Sequence, residues 1–260
     1  MSDPLRFFVP PESLIGDQVT ISGDAHHHLH NVLRTRLGSV LTLLDGQGRC
    51  CEVELQAINR QEARARVVRR WQEKDCALPI TLIQAVPKGD KFDLILQKGT
   101  ELGVCRFQPV QTAHAVPQLD ATRLTKREQR WLRIVSEAAR QCRRSFLPHV
   151  KPTSALVDVI NQRTDDLKLL LWETGSVPLA EALPDQQPSG VRLLVGPEGG
   201  FSAEEIKAIS AAGVRSAHLG PRILRTETAG LAATSILQYL YGDWHQPPAG
   251  SQLNQLEEKK

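Results

Sequence analysis

The fold of this chain is limited most by a regular alternation of apolar strand segments with amphipathic helices between residues 80 and 241. Strands are predicted at 80–86, 107–110, 167–172, 191–195 and 216–219, and helices at 90–102, 125–143, 202–212 and 227–241. This alternation is typical of a parallel sheet in an α/β domain. Parallel sheets bind ligands at the carboxyl ends of their strands, so the loops that follow the strands are the places to search.

Residues 6–70 show a different pattern, in which short strands are separated by turns. Strands are predicted at 6–9, 18–21, 40–44, 51–55 and 64–68, with one helix from His26 to Leu33 and a hairpin turn at Asp45-Gly46. The polar segment that ends at Pro79 is typical of a linker. We therefore expect a small β-rich domain at 1–72, a linker at 73–79, an α/β domain at 80–244 and a disordered tail at 245–260.

Composition excludes several classes of protein. The chain has 260 residues, of which 41% are hydrophobic, so disorder is excluded as its main state. No apolar stretch is long enough to span a bilayer, and the first residues lack the pattern of a signal peptide, so we expect a cytoplasmic protein. The five cysteines include no C-x-x-C pair. The histidines at 26–28 and 30 fit a polar helix face better than a metal site, so no metal is expected.

Several common motifs of α/β proteins are absent from the sequence. No strand is followed by G-x-G-x-x-G, which excludes the ordinary dinucleotide fingerprint. The segment Gln97–Thr100 lacks the glycine spacing of a phosphate-binding P-loop. No G-x-S-x-G nucleophile elbow occurs either.

The first unusual junction follows the strand at 191–195. It is the loop Gly196-Pro-Glu-Gly-Gly200, after which Ser202 is the predicted N-cap of the next helix. Glycines after a strand let the backbone approach a ligand closely, and the start of a helix adds N–H donors. A tight strand-to-helix turn without a ligand fits the spacing equally well.

The second junction follows the strand at 216–219 and again begins with Gly-Pro. Its loop holds Arg222, Arg225 and Glu227, with Thr226 as the predicted N-cap of the last helix. An exposed capping cluster would also explain these charges. Two successive junctions of the same kind favour one shared pocket, and the spacing leaves its ligand open.

These two segments, LLVGPEGGFSAEE and LGPRILRTETAG, closely resemble the RsmE family of uracil-N3 methyltransferases of 16S ribosomal RNA, which belong to the SPOUT class. HLHNVLRTRLG, KGDKFDLILQKGTELGV, EAARQCRR and LQYLYGDW match in the same order, so the resemblance runs from Arg6 to Trp244. It implies a PUA-like β-barrel followed by a SPOUT-type α/β domain with a trefoil knot. It also implies S-adenosyl-L-methionine as cofactor, a homodimer, and 16S rRNA of the small ribosomal subunit as substrate.

The resemblance further implies which residues form the cofactor pocket. Carried over residue by residue, they are Leu171, Gly196, Pro197, Glu198, Gly199, Gly200, Leu219, Gly220, Ile223, Leu224 and Thr226. The chain departs from the family at Gln141-Cys-Arg-Arg144, where Arg143 replaces a glycine. If that glycine adopts a positive φ, the local turn must differ here. Arg144 aligns with the arginine of the family.

Residues 123–144 contain eight basic residues, opposed by Glu128 and Glu137. A helical period places Trp131, Val135, Ala138 and Cys142 on one apolar face. The opposite face carries the basic side chains Lys126, Arg130, Arg133, Arg140 and Arg144. Such a stripe suits a phosphate backbone, although a solvated helix surface is the plainer alternative. The predicted RNA contacts outside this stripe are Arg6, Arg34, Arg36, Lys88 and Arg222.

Methylation at N3 of uracil requires loss of the imide proton from an unpaired or extruded base. We expect Arg225 or Arg144 to stabilise the developing anion, and Glu227 to orient the base or remove the proton. His218 receives little weight because its strand is predicted to be buried. Three alternatives stay open: another RNA position such as a ribose 2′-hydroxyl, a non-catalytic ribosome-binding protein, and an enzyme acting on a small molecule. The last explains the glycine loops but neither the basic helix nor the β-rich domain.

Overall fold

The computed structural model describes residues 5–114 and 121–246. The chain divides into two compact units, one formed by Met1–Asp75 with Ala139–Leu147, the other by Cys76–Ala138 with Pro148–Lys260. From residue 247 onward, the predicted disordered tail lies outside the described residues. Within the described part, no helix is long and apolar enough to cross a membrane.

The first unit is built on a five-stranded sheet. Its strands are β1 (Leu5–Phe8), β2 (Gln18–Ile21), β3 (Val40–Leu44), β4 (Arg49–Ile58) and β5 (Ala63–Gln72). They lie in the order β1-β3-β4-β5-β2, with β1 and β3 parallel and the other pairs antiparallel. Alternate residues such as Val53 and Leu55 are buried in the core, as half-buried strands require. The predicted strands are therefore confirmed, and β4 and β5 are longer than predicted.

Helical segments of the first unit are short. A 3-10 turn spans Pro11–Leu14, and the predicted helix begins earlier than expected, as α1 (Gly23–His27), which continues into a π turn at His28–Val32. The predicted hairpin turn between β3 and β4 is stabilised by Asp45, whose carboxylate accepts hydrogen bonds from the N–H groups of Gln47 and Arg49 at 2.7 and 3.0 Å. An aspartate that binds the backbone two residues ahead is a common turn-forming device.

Residues 139–147, which include the end of the long basic helix, belong to the first unit although the sequence pattern groups them with the α/β domain. The N–H of Leu147 donates to the carbonyl of Gly46 at 3.0 Å. A Cβ at Gly48 would lie 2.4 Å from the ring of Phe146, so this aromatic ring packs directly on the hairpin turn. These contacts join two segments that are far apart in sequence, which a local pattern does not reveal.

The second unit carries a sheet in which every strand pair is parallel. Its strands are β6 (Ile80–Ala85), β7 (Val104–Gln111), β8 (His149–Val150), β9 (Ser154–Ala155), β10 (Leu167–Leu171), β11 (Val177–Pro178), β12 (Val191–Val195) and β13 (Arg215–His218). The strand order is β11-β13-β10-β12-β6-β7-β8, with β9 also pairing with β7. The prediction of a parallel α/β sheet is confirmed. The short strands β8, β9 and β11 were not predicted.

Helices cover both faces of this sheet. They are α2 (Lys91–Glu101), α3 (Ala121–Gln141), α4 (Leu156–Ile160), α5 (Leu179–Ala182), α6 (Ala203–Ala211) and α7 (Thr226–Tyr241). Leu193 packs in the core cluster of one face, and its neighbour Leu194 packs in the cluster of the other. This two-sided burial explains why the central strands are apolar without interruption.

Helix α3 confirms the predicted apolar face at Trp131, Val135 and Ala138, which are buried. The prediction is wrong for Cys142, which lies beyond the end of the helix and is half-buried. The ring of Trp131 packs on Phe92 of α2, with 4.5 Å between the ring centroids. The helix ends at Gln141 instead of residue 143, so Arg144 lies beyond the helix and is not part of its basic face. The two short helices α4 and α5 were not predicted, since segments of this length give no periodic signal.

Candidate active site

A cavity of about 390 Å³ lies at the carboxyl ends of the adjacent strands β12, β10 and β13. Its walls combine the two Gly-Pro junctions with the residues that follow β10. Ten of the eleven predicted cofactor residues line it: Leu171, Gly196, Pro197, Glu198, Gly200, Leu219, Gly220, Ile223, Leu224 and Thr226. The structure therefore brings the two glycine loops together, which the sequence pattern only suggested.

The first glycine loop is fixed at both ends. After the loop, Ser202 is the N-cap of α6, and it forms the reciprocal hydrogen bonds of a capping box with Glu205. Gly200 has a φ of 69°, a left-handed conformation that favours glycine. A Cβ at Gly196 would lie 2.9 Å from the Phe201 ring. Gly196 is thus required for close packing of the loop on the following aromatic ring.

The second loop is tied to the first through Thr226. Its hydroxyl donates to the carbonyl of Gly196 at 2.6 Å and accepts from the side-chain amide of Gln84 at 2.9 Å. The prediction of Thr226 as N-cap is wrong: the N-cap of α7 is Arg225, whose carbonyl accepts from Thr228 and Ala229. The threonine hydroxyl does not cap the helix because it is hydrogen-bonded to Gly196 of the first loop and to Gln84 of β6.

A cluster of charges lies at one side of the cavity. The ammonium of Lys91, at the start of α2, lies 2.7 Å from a carboxylate oxygen of Glu198 and 3.6 Å from one of Glu227. Burial opposes ionisation of Glu198, but hydrogen bonds from Lys91 and from backbone N–H groups outweigh it and lower the pKa of this carboxyl. The same hydrogen bond to Glu198 raises the pKa of Lys91.

Sequence reasoning missed Lys91 as a site residue, because its partners are 107 and 136 residues away. It also missed Trp172 and Glu173, which follow β10 and line the cavity. His218 lines the cavity too and is half-buried, contrary to the prediction of a buried strand. Its Nδ1 accepts a hydrogen bond from the N–H of Gly220 at 3.2 Å. The signal for Trp172, Glu173 and His218 was their position at the ends of strands.

The predicted catalytic residues occupy different surroundings. Arg225 is exposed and lines the cavity, together with the exposed Arg222 and with Ile223, which is 81% exposed. Glu227 is not among the residues that line the cavity, and its side chain is only 13% exposed. Arg144 belongs to the first unit, where its guanidinium lies 3.7 Å from the carboxylate of Asp75.

Gly199 is the predicted cofactor residue that is not among those lining the cavity. Its carbonyl instead lies 3.0 Å from Nδ1 of His114, in the segment that follows β7. A Cβ at Gly199 would lie 3.0 Å from the Cβ of this histidine. The glycine is therefore explained by the close approach of His114.

Some of the predicted RNA contacts are engaged with other side chains of the protein. In the first unit, Arg6 lies 3.7 Å from Glu73, and Arg140 lies 3.5 Å from the His28 ring. In the second unit, Arg130 binds the carboxylates of Asp90 and Asp93. The remaining predicted contacts are exposed: Arg34, Arg36, Lys88, Lys126, Arg133 and Arg222.

Comparison with known proteins places this site in a family. The profile of the RNA methyltransferase domain matches residues 74–238, and that of the RNA methyltransferase PUA domain matches residues 21–68. The ribosomal RNA small subunit methyltransferase E of Bacillus subtilis is 34% identical over 229 residues, which are 85% of this chain and 89% of that protein. The chain belongs to the ribosomal RNA small subunit methyltransferase E family.

Other members of the family agree in sequence and in structure. The enzyme of the same name from Mycobacterium bovis is 32% identical over 92% of this chain and 93% of its own. The crystal structure of the Neisseria gonorrhoeae family member, bound to S-adenosyl methionine, matches with a TM-score of 0.86 and 34% identity. It covers 93% of this chain and 100% of that one. A Legionella pneumophila methyltransferase with bound cofactor SAM also matches with a TM-score of 0.86, at 33% identity over 93% of this chain and 100% of that one.

Arg143, which replaces a glycine of the family pattern, adopts a backbone conformation typical of glycine. Arg143 has a φ of 65°, in the left-handed region that favours glycine. Its N–H donates to the carbonyl of Arg140 at 3.4 Å, and the next N–H, of Arg144, donates to Ala139 at 2.9 Å. The turn that ends α3 is thus of the kind a glycine adopts readily, formed here by an arginine.

Proposed function

We propose that this protein transfers a methyl group from S-adenosyl-L-methionine to N3 of a uridine in 16S rRNA of the small ribosomal subunit. The observation that carries the proposal is the cavity formed jointly by both Gly-Pro loops, with an exposed arginine, Arg225, on its wall. Family membership supplies the reaction class, and the relatives carry ribosomal RNA of the small subunit in their name. Such a substrate fits the cytoplasmic location predicted from the sequence.

The cavity suits this cofactor in size and chemistry. Its volume of about 390 Å³ lies in the range of small-molecule sites. Leu171, Val195 and Leu219 provide apolar wall for a flat heterocycle. The carboxylates of Glu173 and Glu198 also line it, and they would favour a ligand that carries a sulfonium and an ammonium group.

When bound, S-adenosyl-L-methionine supplies a methyl group on a positively charged sulfur. The protein then has to hold the uracil with N3 in line with that methyl group and to stabilise the charge left when the N3 proton departs. In this proposal Arg225 donates N–H groups to a uracil carbonyl oxygen, where the negative charge develops. Glu227 accepts the N3 proton or fixes the base, and Arg144 is the alternative cation for the anion.

The proposal includes the finer features that the resemblance implies. They are a trefoil knot in the second unit, a PUA-like barrel at 1–72 for RNA, a linker at 73–79, a catalytic domain at 80–244, and a homodimer. Support for the dimer comes from α7, where Ile236, Tyr239 and Leu240 are exposed at helical spacing. Large apolar side chains grouped on one face commonly mark a protein–protein contact.

Methyl transfer to ribosomal subunits tests the proposal directly. Small subunits from cells that lack this gene are incubated with the protein and labelled S-adenosyl-L-methionine, and the nucleosides are then analysed by mass spectrometry. We expect 3-methyluridine. A different methylated nucleoside would keep the reaction class and overturn the target atom. Bound cofactor without transfer would overturn the proposed substrate, and lack of cofactor binding would refute the assignment as a methyltransferase.

A further inference from the structure

The start of α2 reaches both glycine loops through a single side chain. Lys91 is the first residue of α2, Glu198 lies in the first glycine loop, and Glu227 lies in the first turn of α7. The Lys91 ammonium donates to Glu198 at 2.7 Å, and it lies 3.6 Å from Glu227. One cation thus bridges a carboxylate that lines the cavity, Glu198, and a carboxylate of α7 that does not line it, Glu227.

The two carboxylates need such a cation, because both are held partly away from water. The side chain of Glu198 is 32% exposed and that of Glu227 is 13% exposed. Among the described residues, no hydrogen bond reaches Oε2 of Glu227, the oxygen that faces Lys91. Two neighbouring carboxylates in such surroundings repel each other unless a positive charge lies between them.

The segment around Lys91 is itself held in place. The N–H of Lys88 also donates to Glu198, at 3.5 Å. From α3, Arg127 donates to the carbonyl of Gly89 at 3.4 Å, and Arg130 binds Asp90 and Asp93 on either side of Lys91. Basic residues of α3 therefore fix the turn from which Lys91 reaches the site.

We propose that Lys91 is a positioning residue for methyl transfer, which holds Glu198 and Glu227 in the arrangement that binds the cofactor and receives the base. The role in receiving the base rests on the proposed function, because Glu227 is the group we place at the N3 proton. The role in binding the cofactor does not depend on which base is methylated. Lys91 lines the cavity beside Glu198, and without its charge Glu198 and Glu227 repel each other, so the loop that carries Glu198 leaves the arrangement that binds the cofactor.

Three variants test the role of the charge. Lys91→Met keeps the length of the side chain and removes the ammonium, whereas Lys91→Arg keeps a positive charge. Lys98→Met is the matched control, because Lys98 lies on the same helix and pairs with Glu101 at 2.9 Å. Loss of one charge-assisted hydrogen bond that is partly screened predicts about a tenfold rise in the dissociation constant of S-adenosyl-L-methionine, measured by calorimetry. A smaller rise is expected for Lys91→Arg and no change for Lys98→Met.

A double variant separates positioning from a merely structural effect. If Lys91 acts by offsetting the charge of Glu198, then Glu198→Gln added to Lys91→Met removes the unpaired carboxylate and recovers part of the lost affinity. The affinity of Lys91→Met for the cofactor should also fall as the pH rises through the range in which Glu198 ionises. The groups around this ion pair are Lys91 and the Lys88 N–H, which donate to Glu198, and Glu227 and Arg225, whose charges act on Lys91. The cofactor itself titrates in the same way with every variant, so its contribution is removed by subtracting the pH dependence measured for Lys98→Met.

The outcomes distinguish this inference from the proposed function. If the wild type and Lys98→Met fail to methylate small subunits, the proposed function falls, while calorimetry still tests the role of Lys91 in cofactor binding. If both are active and Lys91→Met binds and transfers equally well, the positioning role is refuted. The positioning role is also refuted if Lys91→Met loses affinity for the cofactor, Lys91→Arg loses as much, and the added Glu198→Gln recovers none of it. If Lys91→Met does not fold, the single variants Lys91→Arg and Glu198→Gln are compared with the wild type instead.

Discussion

Replacement of Thr226 by valine should loosen the junction between the two glycine loops. Valine has nearly the shape of threonine but no hydroxyl, so the change removes polar contacts and little volume. Two contacts are lost, the 2.6 Å bond to the Gly196 carbonyl and the 2.9 Å bond from the Gln84 amide. Both bonds are made at a residue that is buried, so water does not replace them.

The expected loss in the free energy of unfolding follows from the hydrogen bonds that Gly196 and Gln84 keep. The Gly196 carbonyl loses its hydroxyl donor, whereas the Gln84 amide keeps its bond to the carbonyl of Ala85 at 3.0 Å. The unsatisfied Gly196 carbonyl costs about 1–3 kcal/mol and the lost bond from Gln84 about 1 kcal/mol more, so we expect Thr226→Val to lower the free energy of unfolding by about 2–4 kcal/mol. Affinity for S-adenosyl-L-methionine should fall as well, because Gly196 and Thr226 both line the cavity.

Urea denaturation of the wild type, Thr226→Val and Thr226→Ser measures this effect. Serine keeps the hydroxyl and removes one methyl group, which should cost only about 1 kcal/mol. If Thr226→Val unfolds at the same urea concentration as the wild type, or if Thr226→Ser is equally destabilised, the hydroxyl does not hold the loops together. The reasoning about Gly196 and Gln84 would then be refuted.

Three other perturbations address the chemistry, the assembly and the charge cluster. Arg225→Ala should abolish methyl transfer to small subunits while calorimetry still detects cofactor binding, and unchanged turnover would remove Arg225 from the mechanism. Leu240→Glu places a charge on the exposed apolar face of α7 and should convert a dimer to a monomer in light scattering; an unchanged mass would place the interface elsewhere. The pKa of Glu198 is lowered from its ordinary 4.5, so its contribution to stability is present above that value and lost as the pH falls through the lowered pKa. The pKa of Lys91 is raised above its ordinary 10.5, so its contribution is present below that value and lost as the pH rises through the raised pKa. The stability of Lys91→Met should therefore differ most from the wild type between these limits, and equal pH profiles of unfolding would contradict this.

The α/β unit shows how far local patterns reach. The apolar run at 191–195 predicts β12 at its observed bounds, and Ser202 after the glycine loop predicts the N-cap of α6. Both features depend on residues within one turn or one strand. The N-cap of α7 was misassigned to Thr226, because a threonine before a helix is usually a cap and only the neighbouring strands show that its hydroxyl is taken by Gly196.

The basic helix α3 shows what a local sequence pattern does not determine. Its periodicity correctly separates the buried face of Trp131 from a charged face. Charge alone does not say whether an arginine faces solvent or a carboxylate of another helix. Arg130 binds Asp90 and Asp93 near the start of α2, whereas Lys126 and Arg133 are exposed. The distinction depends on how α2 and α3 pack, which is a property of the tertiary structure.

The sequence by itself determined the alternation of strands and helices, the two glycine loops and their resemblance to one methyltransferase family. These are local signals, since the periods of strands and helices and the needs of a tight turn act over a few residues. The tertiary structure decided which distant groups share the site. Gln84 and Thr226 are 142 residues apart, and Lys91 and Glu198 are 107 residues apart. They meet because the order of strands β13-β10-β12-β6 brings the ends of separate segments to one edge of the sheet, and that order depends on long-range packing that no local pattern contains.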